Sequence, residues 1–179
     1  MQEKRNPSPI NTEPTDASLE KTLDLLSFRA LHDNDPMTRE HSVFMLGLAG
    51  DPRSIDTCIH AMRDPEKAVR AQASVALAEI GGAALEQLLP LLRDPDWKVR
   101  YRAAEALGLM EEKRAVSPLV VLLSDEKDHV RYMAAKSLCR IGDVAARDPI
   151  MACQQDENPF VRAMADKAGV KIAQERRSG

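Results

Sequence analysis

Residues Asp94–Gly108 read DPDWKVRYRAAEALG, and residues Asp64–Gly81 read DPEKAVRAQASVALAEIG. Both share a frame: an Asp, a Val five residues on, an Arg directly after it, then small residues three or four apart. With the Asp as position 0, the frame begins at Asp33, Asp64, Asp94, Asp125 and Asp156, in steps of 31, 30, 31 and 31 residues. Position +6 is Arg39, Arg70, Arg100, Arg131 and Arg162. Position +13 is Leu46, Leu77, Leu107 and Leu138, then Gly169, and position +17 is Gly50, Gly81, Glu111, Gly142 and Ala173. Self-similarity at a fixed short period is the signature of a repeat array.

Each unit reads as two helices. An apolar stretch precedes each Asp, such as SIDTCIHAM or ALEQLLPLL, and a framed segment of about 14 residues follows it. At about 100° per residue, positions +5, +9, +12, +13 and +16 share one side of a helix, a stripe that must be buried. The Asp, often followed by Pro, marks the break and is expected to cap the second helix. Gly at +17 ends that helix, because it accepts the left-handed conformation. So short a period leaves no room for strands. The expected organisation is a disordered tail over 1–16, one repeat domain over 17–174, and a polar tail over 175–179. The units fall at about 18–50, 51–81, 82–111, 112–142 and 143–174. The first and last are the least regular, as capping repeats that meet water on one side should be.

The Asp, Val-Arg, Ala, Ala-Leu, Gly pattern resembles the short HEAT-like repeats of the phycobilisome-lyase type, over about residues 18–174. The resemblance implies an all-α, right-handed solenoid with the first helices convex and the framed helices concave. It does not imply one function, since that family includes scaffolds, regulators, bilin lyase subunits and a di-iron hydroxylase. The recurring Asp and Arg residues (Asp33/Arg39, Asp64/Arg70, Asp94/Arg100, Asp125/Arg131, Asp156/Arg162) read as the internal structural ladder of such arrays.

Composition narrows the function. A chain of 179 residues with 44% hydrophobic and 30% charged residues suits one globular domain. A net charge of −3 does not favour nucleic acid as a partner. No apolar run approaches the roughly 18 residues of a membrane helix. The opening residues lack the apolar stretch of a secretory signal, and Cys58, Cys139 and Cys153 are too few and too scattered for a disulfide framework. A cytoplasmic location is expected by default. Catalytic chemistry finds no foothold: none of His32, His41, His60 and His129 is followed by Glu, as the paired dipeptides of the di-iron relatives would require. No phosphate loop, dinucleotide fingerprint or nucleophile elbow is present. No metal or cofactor is expected.

The aromatics are more telling. Trp97 stands at +3, Phe160 at +4, Tyr101 and Tyr132 at +7 and Phe44 at +11, all within an arc of about 100° opposite the buried stripe. Exposed Trp and Tyr are typical binding anchors. Arg102, Lys136, Arg140, Lys167 and Lys171 add positive charge to the same face in the last three units. The reading is a non-enzymatic interaction module that holds a protein partner, with an acidic segment, in a concave groove. Trp97, Tyr101, Tyr132, Phe160 and Phe44 are its anchors, and Arg102, Lys136, Arg140 and Lys167 steer. The alternative is a bilin lyase-like subunit or regulator that holds a small anionic chromophore, and a nucleic-acid binder ranks below both. A homodimer through the end repeats stays open.

Overall fold

The structure, a computed structural model, describes the backbone of residues 16–178 and their side chains except at 169 and 171–178. The tail expected over 1–16 lies outside the described residues, save Asp16, which opens the first helix. The described residues form ten α-helices and no strand. The first helices of the units are α1 (Asp16–His32), α3 (Ile55–Ala61), α5 (Leu85–Leu91), α7 (Val116–Val121) and α9 (Arg147–Ala152). The framed helices are α2 (Pro36–Ala49), α4 (Lys67–Ile80), α6 (Trp97–Leu109), α8 (Asp128–Ile141) and α10 (Pro159–Ser178). Helix α10 carries through most of the segment expected as a polar tail.

The frame works as its spacing requires. Val69, Val99, Val130 and Val161, the alanines at +9 (Ala73, Ala103, Ala134, Ala165) and the leucines at +13 are all buried. All of them except Val99 belong to one continuous core with the inner faces of the first helices, such as Cys58, Leu88, Leu119 and Ile150. Burying side chains of this size stabilises by about 1.5–3 kcal/mol each.

Small residues set the spacing of the framed helices. A Cβ on Gly47 would sit 2.7 Å from the Ala76 Cα, and one on Gly108 would sit 2.5 Å from the Ser137 Cβ. Position +14 of one unit therefore packs on position +12 of the next. Each framed helix lies along its successor, whereas the first helices touch one another little. A tight layer beside a splayed one curves the array, with the framed helices on the inside.

Two expectations about helix ends are corrected or sharpened. The frame Asp does not cap the framed helix. Its carboxylate accepts from the N–H two residues on, as in Asp35→Asp33, Glu66→Asp64, Asp96→Asp94, Lys127→Asp125 and Asn158→Asp156. The helix starts at +3, so position +2 does the capping in three units: Asp35 accepts from Thr38 N–H, Asp96 from Lys98 N–H and Asn158 from Phe160 N–H, whereas Glu66 and Lys127 make no side-chain cap bond. At +17, Gly50 and Gly142 take left-handed angles, φ 62° and 72°. Glu111 adopts the same region at φ 53°, without glycine's freedom.

The ladder runs between units. Arg39 places Nε and Nη2 on the two oxygens of Asp64 at 2.7 and 2.9 Å. Arg100 does the same to Asp125 at 2.8 and 2.9 Å, and Arg131 to Asp156 at 2.7 and 2.9 Å. The Nη1 of each also donates to the carbonyl of its own frame Asp. Arg70 keeps only the carbonyl bonds, to Asp64 and Pro65, and Asp94 is held by Arg63 instead. Arg162 bonds the carbonyls of Asp156 and Glu157.

Candidate functional site

Trp97 is the first residue of α6 and Tyr101 lies one turn further on, so both project from the same side of the helix. Tyr132 holds the equivalent place on α8, and Phe160 is the second residue of α10. Trp97, Tyr101 and Tyr132 are half-buried and pack against the edge of the core, leaving only part of each ring at the surface of the inner layer, whereas Phe160 is exposed. Tyr101, Tyr132 and Phe160 line one hollow of about 410 Å3 with Asp128, His129 and Asn158. Trp97 and Tyr101 line a second of about 240 Å3 with Lys67, Arg70, Lys98, Arg102 and His129. Tyr101 and His129 belong to both, so the hollows adjoin as one groove across the starts of α4, α6, α8 and α10. The Trp97 and His129 rings lie 5.4 Å apart and bridge α6 to α8.

Hydrogen bonds hold the walls. Asp128 accepts from the Asn158 side-chain amide and from His129 N–H, and its carboxyl is held below the usual carboxylate range, first by Asn158 and then by His129. Arg102 is buried, with its guanidinium 5.0 Å from the Tyr101 ring centre and its Nη1 donating to Glu105 at 2.6 Å. Glu105 also accepts from Ser74 Oγ at 2.6 Å. Burial pushes the Tyr101 hydroxyl up, and the Glu105 charge adds to this. Tyr101 is half-buried against the core, while Phe160 stands 71% exposed.

The structure thus gathers Trp97, Tyr101, Tyr132 and Phe160. It leaves Phe44 apart on α2, exposed, with its ring edge-on to His41 at 6.3 Å. Arg102 lines the groove but is not a free charge, because Glu105 occupies it. Lys136, Arg140 and Lys167 are exposed and line neither hollow, and Arg140 lies 3.6 Å from Glu111. The side chain of Lys171 lies outside those described.

The cations that line the groove are instead Lys67, Arg70 and Lys98, from the second and third units. Sequence reasoning passed over Lys67, Lys98 and His129, and read Arg70 as a rung of the structural ladder. The available signal was their place at +3, +4 and +6, beside the aromatic positions.

The thiols offer no nucleophile. Burial pushes Cys58 up to about 12 and also raises Cys153, and Cys139 is buried. Among the described residues no three His, Cys, Asp or Glu side chains gather as metal ligands would, and no helix is long and apolar enough to cross a membrane.

Paired helices stacked at a constant period, with an aromatic groove on the inner layer, define an α-solenoid repeat protein. The chain matches the HEAT repeats family over residues 23–93 and 85–168 and belongs to that family. No curated protein matches it significantly. Among solved structures it is similar to the complex of CpcE and CpcF of phycocyanin lyase from Nostoc sp. PCC7120 (TM-score 0.63, 22% identity, 99% of this chain and 72% of that one covered). It is also similar to a designed armadillo repeat protein in complex with peptide (KR)4 (TM-score 0.54, 19% identity, 87% and 82% covered). A third is human deoxyhypusine hydroxylase (TM-score 0.52, 19% identity, 90% and 75% covered). At these identities the likeness is one of fold.

Proposed function

We propose that the protein is a non-enzymatic scaffold that holds a protein partner in the groove across α4, α6, α8 and α10. One observation carries this reading: Tyr101 and Tyr132, equivalent residues of successive units, line a single hollow with the exposed Phe160. Half-buried rings that keep part of their surface open lose little entropy on contact, which suits Tyr101 and Tyr132 to be anchors. The designed armadillo neighbour, which is complexed with a peptide, is a precedent of fold for such use. Lys136, Arg140 and Lys167 would act at a distance, by raising the rate of encounter with an acidic partner. The test is capture of a partner from extract of the source cells by wild type and by the Trp97→Ala/Tyr101→Ala variant. A protein retained by the first and lost by the second, with helicity unchanged, supports the reading. Equal capture by both refutes it.

The likeness to the phycocyanin lyase subunits supports a second reading, of the phycobilisome-lyase type. A bilin would stack on the groove aromatics and set its propionates against the groove cations. Adding a bilin and following its visible absorption band separates the two readings.

A further inference from the structure

Arg70 is the irregular member of the ladder. Arg39, Arg100 and Arg131 each spend Nε and Nη2 on the Asp of the next unit. Arg70 has a next unit, but Asp94 is occupied by Arg63. Among the described residues, Arg70 bonds only through Nη1, to the carbonyls of Asp64 and Pro65. Its Nε and Nη2 therefore remain as an open fork. Among the described residues Arg162 also bonds only through Nη1, but it lines neither hollow.

Arg70 also lines the hollow that holds Trp97, together with Lys67 and Lys98, and no carboxylate lines that hollow. Lys67 is the first residue of α4 and Lys98 the second of α6. Cations at helix starts oppose the helix dipole, so they add to positive potential that is already there. Such an arrangement lowers stability unless an anion answers it. The walls are the rings of Trp97, Tyr101 and His129, and the adjoining hollow adds Tyr132 and Phe160 beside Asp128, whose carboxylate is already taken by Asn158 and His129.

We infer that this hollow is a carboxylate-binding site, in which the Arg70 fork grips an acidic side chain of an extended peptide and an apolar side chain of the same peptide enters the Tyr101/Tyr132/Phe160 hollow. The inference rests on the partner-groove reading and names its specificity. A guanidinium fork matches a carboxylate bidentately, as three sister arginines of this chain do with aspartate. The aromatic walls favour a peptide over a bare phosphate chain.

Trp97 is the only tryptophan, so its fluorescence reports on the site directly. The probe is a capped peptide of alternating glutamate and leucine, with a glutamine–leucine peptide as control. The first should bind saturably. Affinity should fall about tenfold in Arg70→Gln, the worth of one charge-assisted bond, and similarly for the control peptide. Arg70→Lys should recover only part, because a point charge lacks the fork.

Equal affinity of wild type and Arg70→Gln, equal affinity for the two peptides, or no saturable binding would overturn the inference. So would a single-stranded oligothymidylate that binds more tightly than the acidic peptide. Tyr132→Ala, outside the cationic hollow, separates the two levels. Binding weakened by Tyr132→Ala but not by Arg70→Gln leaves the groove standing and removes the carboxylate site. The reverse keeps the carboxylate site and removes the wider groove. Thermal melts check the fold, and Lys98→Gln, an exposed change, carries the same expectation if Arg70→Gln does not fold.

Discussion

Arg63 donates to Asp94 across the α4–α6 junction, with Nη1 3.1 Å from Oδ1, in the place that Arg70 would fill if the ladder were regular. Arg63 precedes the frame Asp of its own unit, so it reaches the next unit from the first-helix side rather than from the framed helix. The same junction has Ala78 where the α2–α4 and α6–α8 junctions have Gly47 and Gly108. The middle of the solenoid is therefore built differently from its neighbours, and this is where the cationic hollow lies.

The rungs should differ in stability accordingly. Arg100→Ala leaves the nearly buried Asp125 without its bidentate donor and should cost about 2–4 kcal/mol. Arg70→Ala removes only bonds to two carbonyls and should cost about 1 kcal/mol. Urea denaturation of the two variants checks the order, and an equal loss would contradict the irregular ladder.

Acid should act through the frame carboxylates. Asp94 and Asp156 are held below the usual carboxylate range, by Arg63 and Arg131 respectively, against the opposing effect of burial. For Asp64 burial is the largest influence and pushes up, but the Arg39 bonds and the Glu66 N–H together outweigh it. The folded state thus binds these protons less readily than the unfolded chain. The stabilisation is present above the unfolded value near 3.8 and is lost as pH falls through the folded values. The urea midpoint should hold steady from neutral pH down to the unfolded value near 3.8 and fall progressively below it.

Gly108→Ala should be destabilising although alanine favours helices. Its Cβ would meet the Ser137 Cβ and Cα at 2.5 and 2.8 Å, so α6 and α8 must separate. Overpacking of this kind costs about 1–3 kcal/mol, more than the roughly 0.5–1 kcal/mol gained in propensity. Gly82→Ala, with nothing within 4 Å and no left-handed angle, should change stability little. Paired thermal melts test the contrast.

Glu111→Gly should stabilise. Glu111 sits at φ 53°, where a side chain costs about 1–2 kcal/mol, and glycine relieves this at some cost in chain entropy. Its ion pair with Arg140, 3.6 Å long and largely exposed, contributes little to set against the gain. A net rise of about 0.5–1 kcal/mol is expected in chemical denaturation.

The period, the helix pairs and the buried stripe are all legible in the sequence, because each follows from residue spacing within one helix. Val at +5, Ala at +9 and Leu at +13 must share a face whatever the neighbours do, and Gly at +17 acts through its own backbone angles. The aromatic face is legible for the same reason, and equal spacing brings Tyr101 and Tyr132 together. What the sequence could not decide was which charge meets which. Arg70 stands at the recurring +6 position and Arg102 at the variable +8, yet Glu105 takes Arg102 and Arg63 deprives Arg70 of Asp94. Those outcomes depend on how far each unit rotates on the last and on how far a long side chain reaches across the gap. That geometry exists only when the units are stacked, and it brings Lys67, Arg70 and Lys98 to the groove in place of the cations of the last units, although their places at +3, +4 and +6 were legible.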